Sequence, residues 1–124
     1  MKLKECYERM GADYNGVLLR IGDEEKVVRI LGMLLRDENM RTLRDSFKKR
    51  DYETAFRAVH TIKGVALNLG LSRLADSASA LTEALRTRRE GSPETAALLE
   101  RTEADYKEAL AQVRALLEPK TEQS

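Results

Sequence analysis

The sequence predicts an all-α protein, an antiparallel up-and-down four-helix bundle with short N-terminal helices. Of 124 residues, 68 are Ala, Glu, Lys, Leu or Arg, which favour helix, whereas Val, Ile and Pro together number 11. Apolar residues recur at intervals of three and four along most of the chain. Glycines and capping residues cut the chain into segments with short connections, and short connections favour antiparallel neighbours.

Two short helices are predicted before the bundle. Residues 2–10 form the first, which Gly11 ends. The second follows Asp13 and runs to about Arg20, and Gly22 ends it.

The first bundle helix is predicted to begin after Asp23 and to reach Lys49, with residues 36–39 as a polar interruption that kinks or divides it. Its apolar residues recur at helical spacing: Val27, Ile30, Leu31, Leu34, Leu35, Met40, Leu43 and Phe47. The three later helices start at the N-caps Asp51, Ser72 and Ser92. Their predicted ends are Leu69 before Gly70, the segment 86–90 before Gly91, and the residue before Pro119.

Composition sets limits on domain number and on function. The length suits one domain over residues 1–124, with a core at about 13–118 and a frayed tail at 119–124. With 22 basic and 21 acidic residues, the net charge of +1 argues against a nucleic-acid binder that relies on bulk positive charge. No apolar stretch approaches the roughly 20 residues of a membrane span, and the N-terminus lacks a secretory signal. We therefore expect a cytoplasmic monomer without a membrane partner.

The helix from Asp51 to Leu69 carries the most informative residues. Its core face is predicted to hold Tyr52, Ala55, Phe56, Val59, Ile62 and Ala66. His60 falls on the flank of that face, in an exposed strip with Glu53, Arg57 and Leu67. Gly64 lies one turn after His60, where glycine costs about 1 kcal/mol relative to alanine. Either a group docking on the imidazole requires the missing side chain, or Gly64 reflects close helix packing or a tolerated weakness.

His60 is the only histidine and Cys6 the only cysteine. A single histidine is most often an ordinary surface residue, but a neutral exposed imidazole can also act as a nucleophile. No second His or Cys lies at ligand spacing, so no metal site is predicted. Cys6 can form no internal disulfide and is interpreted as a small apolar residue of the first short helix.

The run His60-Thr61-Ile62-Lys63-Gly64, followed by Asn68-Leu69-Gly70, resembles the signature of histidine-containing phosphotransfer (HPt) domains. In that family a phosphorylatable histidine is followed by lysine and glycine at the third and fourth positions on. The resemblance covers about residues 13–115. Many members have a small residue after the glycine, where this chain has Val65.

The resemblance implies a phosphorelay carrier rather than a self-sufficient kinase. His60 would accept a phosphoryl group from an aspartyl phosphate and pass it on, Lys63 would neutralise phosphate charge and Gly64 would leave clearance. The partner would be a response-regulator receiver domain, a hybrid histidine kinase, or both. That partner would supply Mg²⁺, and this chain would bind no cofactor.

Arg57, Leu67 and Asn68 are candidates for the partner-binding surface. Arg57 and Leu67 lie near His60, whereas Asn68 is also expected to form hydrogen bonds at the helix end. The alternative is a helical-bundle adaptor that binds partners without being phosphorylated. An adaptor has no need of the set His60, Lys63 and Gly64.

Overall fold

A computed structural model describes residues 1–88 and 91–118, and these residues form seven helices and no strand. The helices are α1 (Leu3–Met10), α2 (Tyr14–Ile21), α3 (Glu24–Leu34), α4 (Asn39–Lys48), α5 (Tyr52–Leu69), α6 (Ser72–Arg88) and α7 (Pro93–Leu117). The all-helical prediction is confirmed for this part of the chain. The predicted tail, residues 119–124, and residues 89 and 90 at the predicted end of the third bundle helix lie outside the described residues.

Side-chain caps define where four of the helices begin. Each cap accepts a hydrogen bond from the backbone N–H three residues later: Asp13 from Gly16 (3.0 Å), Asp23 from Lys26 (2.9 Å), Asp51 from Thr54 (3.2 Å) and Ser92 from Thr95 (3.1 Å). These bonds satisfy N–H groups that have no partner within their own helix. The corresponding sequence predictions are confirmed.

The predicted cap at Ser72 is wrong. The backbone N–H of Ala75 donates to the carbonyl of Leu71 (2.8 Å), so the first helical hydrogen bond of α6 begins at Leu71. Ser72 is the first helical residue, and its hydroxyl donates to the carbonyl of Gly70 (3.4 Å). The buried Leu71 is thus the N-cap residue of α6. Its backbone N–H also donates to the carbonyl of Ala66 in α5 (2.9 Å), which holds it at this position.

The predicted helix from Asp23 to Lys49 is two helices, α3 and α4. Turn hydrogen bonds from Arg36 to Met33 (3.0 Å) and from Asp37 to Leu34 (3.2 Å) close the end of α3. The Asp37 carboxylate then accepts from the backbone and side-chain amides of Asn39 at 2.7 and 2.8 Å, where α4 begins. Hydrogen bonds from an Asp side chain to nearby backbone amides compete with the backbone hydrogen bonds of a continuous helix. The polar residues 36–39 therefore divide the predicted helix into two.

One apolar core joins all seven helices, and α5 lies against α4 and α6. Helix α7 packs against α6 and α1 and also contacts α3 and α4. The core begins at residue 3 rather than 13, because α1 buries Leu3, Cys6, Tyr7 and Met10 at helical spacing. Burial raises the pKa of the Cys6 thiol, in agreement with its interpretation as a small apolar residue of the first short helix.

The first two helices hold the C-terminal end of α5. The buried hydroxyl of Tyr7 donates to the carbonyl of Leu69 (2.7 Å), and Arg20 Nε donates to the carbonyl of Asn68 (3.0 Å). The backbone N–H of Asp13 donates to the carbonyl of Gly70 (2.8 Å). Because carbonyls at a helix end lack partners in the helix itself, these bonds anchor α5 to the rest of the fold.

Candidate functional site

The candidate site lies on α5, which is fixed at both ends. At its start the Asp51 carboxylate accepts from the hydroxyl of Thr54 (2.6 Å) as well as from its backbone. These hydrogen bonds, led by the one from the hydroxyl, hold the pKa of Asp51 below its ordinary value. The helix is thus capped at its start and tied to α1 and α2 at its C-terminal end.

The exposed strip predicted for α5 is confirmed as a geometric feature. His60, Glu53, Arg57 and Leu67 are all exposed, and Leu67 is an apolar side chain that is 52% exposed. The opposite side of the helix carries the predicted core residues: Ala55, Val59, Ile62 and Ala66 are buried, and Tyr52 and Phe56 are partly buried. The imidazole of His60 is therefore accessible to another molecule.

Gly64 borders open space. A Cβ atom added to it would meet no heavy atom within 4 Å outside its immediate helical neighbourhood. Close packing of another helix therefore does not explain this glycine. The backbone at Gly64 is helical and has no positive φ, so conformation does not require glycine either.

The two cations beside His60 differ in their partners. Arg57 Nη1 forms an ion pair with Glu53 at 3.0 Å. Lys63 is partly buried and forms none of the ion pairs found among residues 1–88 and 91–118. Of these two charges, the ammonium of Lys63 is the one that has no ion-pair partner among the described residues.

Leu67 and Asn68 lie further along α5 from His60. At a rise of about 1.5 Å per residue, they are about 10 and 12 Å along the helix axis from it. Asn68 is exposed, and its backbone carbonyl accepts a hydrogen bond from Arg20 Nε. Because any residue type offers this carbonyl, the helix-end role expected of Asn68 itself stays a prediction. Val65 is partly buried against the core, away from the exposed strip.

Two residues that the sequence analysis did not assign to the site lie beside it. The ring of Phe56 is parallel to the His60 imidazole, with centroids 5.9 Å apart and planes inclined by 5°. The guanidinium of Arg86, on α6, lies over the Phe56 ring at 5.5 Å from its centroid. The i, i+4 spacing of Phe56 and His60 could have indicated the first contact. No local pattern indicates the second, because α6 reaches this position only in the folded chain.

A groove opens next to this ring pair. It has a volume of about 540 Å³ and is lined by Tyr52, Glu53, Phe56, Arg57, Leu85 and Arg86. A groove lined by both apolar and charged side chains suits contact with another protein surface. The candidate site thus combines an exposed imidazole, open space at Gly64, the ammonium of Lys63 and this groove.

The described part of the chain has no group of three or more His, Cys, Asp or Glu side chains that could hold a metal ion. It also has no helix that is long and apolar enough to cross a membrane.

The Hpt domain family model matches residues 32–117, from the last residues of α3 through the end of α7. This chain belongs to the Hpt domain family, whose members act in histidine phosphotransfer in phosphorelays as phosphocarrier modules rather than kinases. The resemblance seen from about residue 13 is wider than this match, which does not include α1 and α2. Comparison with curated proteins and with solved structures finds no significant match.

Proposed function

We propose that this chain is a phosphorelay carrier in which His60 accepts a phosphoryl group from an aspartyl phosphate of a receiver domain and passes it on. The observation that carries the proposal is the exposed imidazole of His60 beside the open space at Gly64, on a helix of the matched family region. An adaptor that is never phosphorylated gives no reason for a mid-helix glycine that the fold itself does not need.

The proposed step forms one bond and breaks one. A lone-pair nitrogen of neutral His60 attacks phosphorus, and the bond between phosphorus and the aspartyl oxygen breaks. The aspartate leaves as a carboxylate, and the phosphoimidazolium then gives up one proton to solvent. Positioning and charge neutralisation dominate the catalysis of phosphoryl transfer. Lys63 supplies a positive charge close to the equatorial oxygens, and Gly64 leaves room for the aspartyl phosphate.

The partner would be a response-regulator receiver domain, a hybrid histidine kinase, or both. It would supply the acidic groups and Mg²⁺, and this chain would bind no cofactor or metal. Arg57, Leu67 and Asn68 would contribute to the partner-binding surface, because all three are exposed on the side of α5 that carries His60 or at its end. We further propose that α4 to α7 form the antiparallel four-helix bundle of a cytoplasmic monomer that needs neither nucleic acid nor membrane.

The test is transfer of label from a receiver domain that carries radiolabelled aspartyl phosphate. We expect acid-labile label on the wild-type chain and none on His60→Gln. Because His60 is exposed, this substitution should leave the circular dichroism spectrum unchanged, and loss of the ring contact with Phe56 should change thermal unfolding only slightly.

Equal labelling of wild type and His60→Gln would refute the assignment of His60. If neither protein takes label from any of several receivers but the wild type binds them stably, the adaptor function is correct instead.

A further inference from the structure

The orientation of the His60 ring is the feature from which this inference starts. A histidine whose reactive ring nitrogen must face a given direction is usually oriented by a hydrogen bond. The other ring nitrogen donates that bond to a carboxylate or a carbonyl. Within residues 1–88 and 91–118, neither ring nitrogen of His60 forms a hydrogen bond. The imidazole instead contacts the parallel ring of Phe56.

The geometry of that contact suits an offset stack. Attractive aromatic pairs have centroids 4.5–7 Å apart, and the His60 and Phe56 rings are 5.9 Å apart and nearly parallel. Side chains on a helix lean toward its N-terminus and cover the residues one turn earlier. The His60 imidazole therefore leans toward Phe56, four residues earlier, and away from Gly64, four residues later.

The Phe56 ring is itself held in place. It is partly buried and packs against the core, and the Arg86 guanidinium lies over it at 5.5 Å from the ring centroid. Arg86 in turn pairs with Glu83 one turn earlier on α6, with 3.4 Å between Nη1 and Oε2. A cation over an aromatic face is attractive, so α6 helps to fix the ring on which the imidazole rests.

We propose that Phe56 is a positioning residue for His60, which sets the plane of the imidazole by stacking where other histidines use a hydrogen bond. This inference rests on the proposed function. Phe56 touches neither the phosphoryl group nor the partner's aspartate. It restricts the plane of the imidazole to one parallel to its own ring, and in this arrangement both ring nitrogens stay free of protein acceptors.

The kinetic test compares Phe56→Leu with Phe56→Tyr. Leucine keeps an apolar side chain but has no ring, whereas tyrosine keeps the ring. For Phe56→Leu we expect a fall in the maximal rate of phosphoryl transfer to His60 on the order of tenfold, because misorientation of a reacting group is costly. The receiver concentration at half-maximal rate should change little, and Phe56→Tyr should restore the maximal rate.

A second readout does not depend on phosphorylation. Because His60 is the only histidine, its two carbon-bound ring protons give a pair of NMR signals that needs no further assignment. The stacked Phe56 ring should shift these signals upfield. The shift should disappear in Phe56→Leu and persist in Phe56→Tyr.

Phe47→Leu is the matched control. Phe47 is a partly buried aromatic residue that packs edge-on against Tyr52, with centroids 5.5 Å apart, and it has no ring contact with His60. Phe47→Leu should lower the free energy of unfolding about as much as Phe56→Leu does, because each removes a partly buried ring. It should leave both the His60 signals and the maximal transfer rate unchanged. An equal loss of rate in Phe47→Leu would overturn the inference, since the effect would then be one of general stability.

The outcomes separate this inference from the proposed function. If the wild type takes no label, the proposed function fails, and the NMR shifts alone decide whether Phe56 orients the ring. If the wild type takes label and Phe56→Leu changes neither its rate nor the His60 signals, the proposed function stands and the inference is wrong.

Discussion

Two glycines six residues apart, Gly64 within α5 and Gly70 directly after it, are present for different reasons. Gly70 ends α5 with φ at +71°, and a Cβ added there would lie 2.8 Å from the carbonyl oxygen of Asp13. Gly64 has ordinary helical backbone, and a Cβ added there would meet nothing within 4 Å. The fold requires glycine at position 70 and does not require it at position 64.

The difference shows where the explanation for Gly64 must be sought. Alanine at position 64 would improve the helix at no steric cost within this chain. Since the fold gains nothing from glycine there, Gly64 is either a tolerated weakness of the helix or a position that benefits a molecule approaching from outside, and the proposed function takes the second explanation. The neighbour of Gly64 on that side is His60, and this connects the glycine to the proposed phosphoryl transfer.

The largest stability effect is expected from Gly70→Ala. A side chain at this position has to adopt a left-handed backbone and to displace the Asp13 carbonyl, so the free energy of unfolding should fall by about 2 kcal/mol. Urea unfolding followed by circular dichroism measures it. A loss below about 0.5 kcal/mol would mean that the end of α5 can rearrange and that the contrast with Gly64 is weaker than described.

A smaller effect should come from the tyrosine that holds the same helix end. Burial raises the pKa of Tyr7, and it raises the pKa of Tyr106 to about 12. Because the folded protein then holds these protons more tightly than the unfolded chain does, its stability is complete below about pH 10 and falls as the pH rises above that value.

Tyr7→Phe isolates the contribution of Tyr7. It should cost about 1 kcal/mol at neutral pH, since the Leu69 carbonyl loses its hydrogen bond, and it should make the alkaline fall shallower. Unfolding free energies measured at several pH values from neutral to about pH 11 test both statements. If the free energy of unfolding of Tyr7→Phe fell as steeply above pH 10 as that of the wild type, Tyr7 would not contribute to the pH dependence.

Much of the fold was predictable because its signals are local. The capping residues Asp51 and Ser92 each precede their helix directly, and their hydrogen bonds span three residues. The core role of α1 was not predicted, although its apolar residues have helical spacing. Its partner α7 lies about a hundred residues away, and no local pattern pairs the two.

The candidate site likewise combines features with a local sequence signal and contacts that depend on how helices pack. His60, Lys63 and Gly64 form one sequence motif, and the exposure of His60 follows from helical periodicity. The stack with Phe56 was missed because that residue was read only as part of the core face. Arg86 belongs to the segment 86–90, which the sequence analysis gives as a helix end, and its position over Phe56 depends on how α6 packs against α5.

The most direct test of the account is Gly64→Ala, measured for both stability and phosphoryl transfer. We expect the free energy of unfolding to rise by about 0.5–1 kcal/mol and the rate of transfer to His60 to fall, with a larger fall in the bulkier Gly64→Gln.

The matched control is Gly32→Ala in α3, where an added Cβ would make an ordinary contact of 3.6 Å with Leu117. It should gain similar stability and leave the transfer rate unchanged. A transfer rate in Gly64→Ala and Gly64→Gln equal to that of the wild type would contradict the claim that Gly64 keeps space open for the partner of His60.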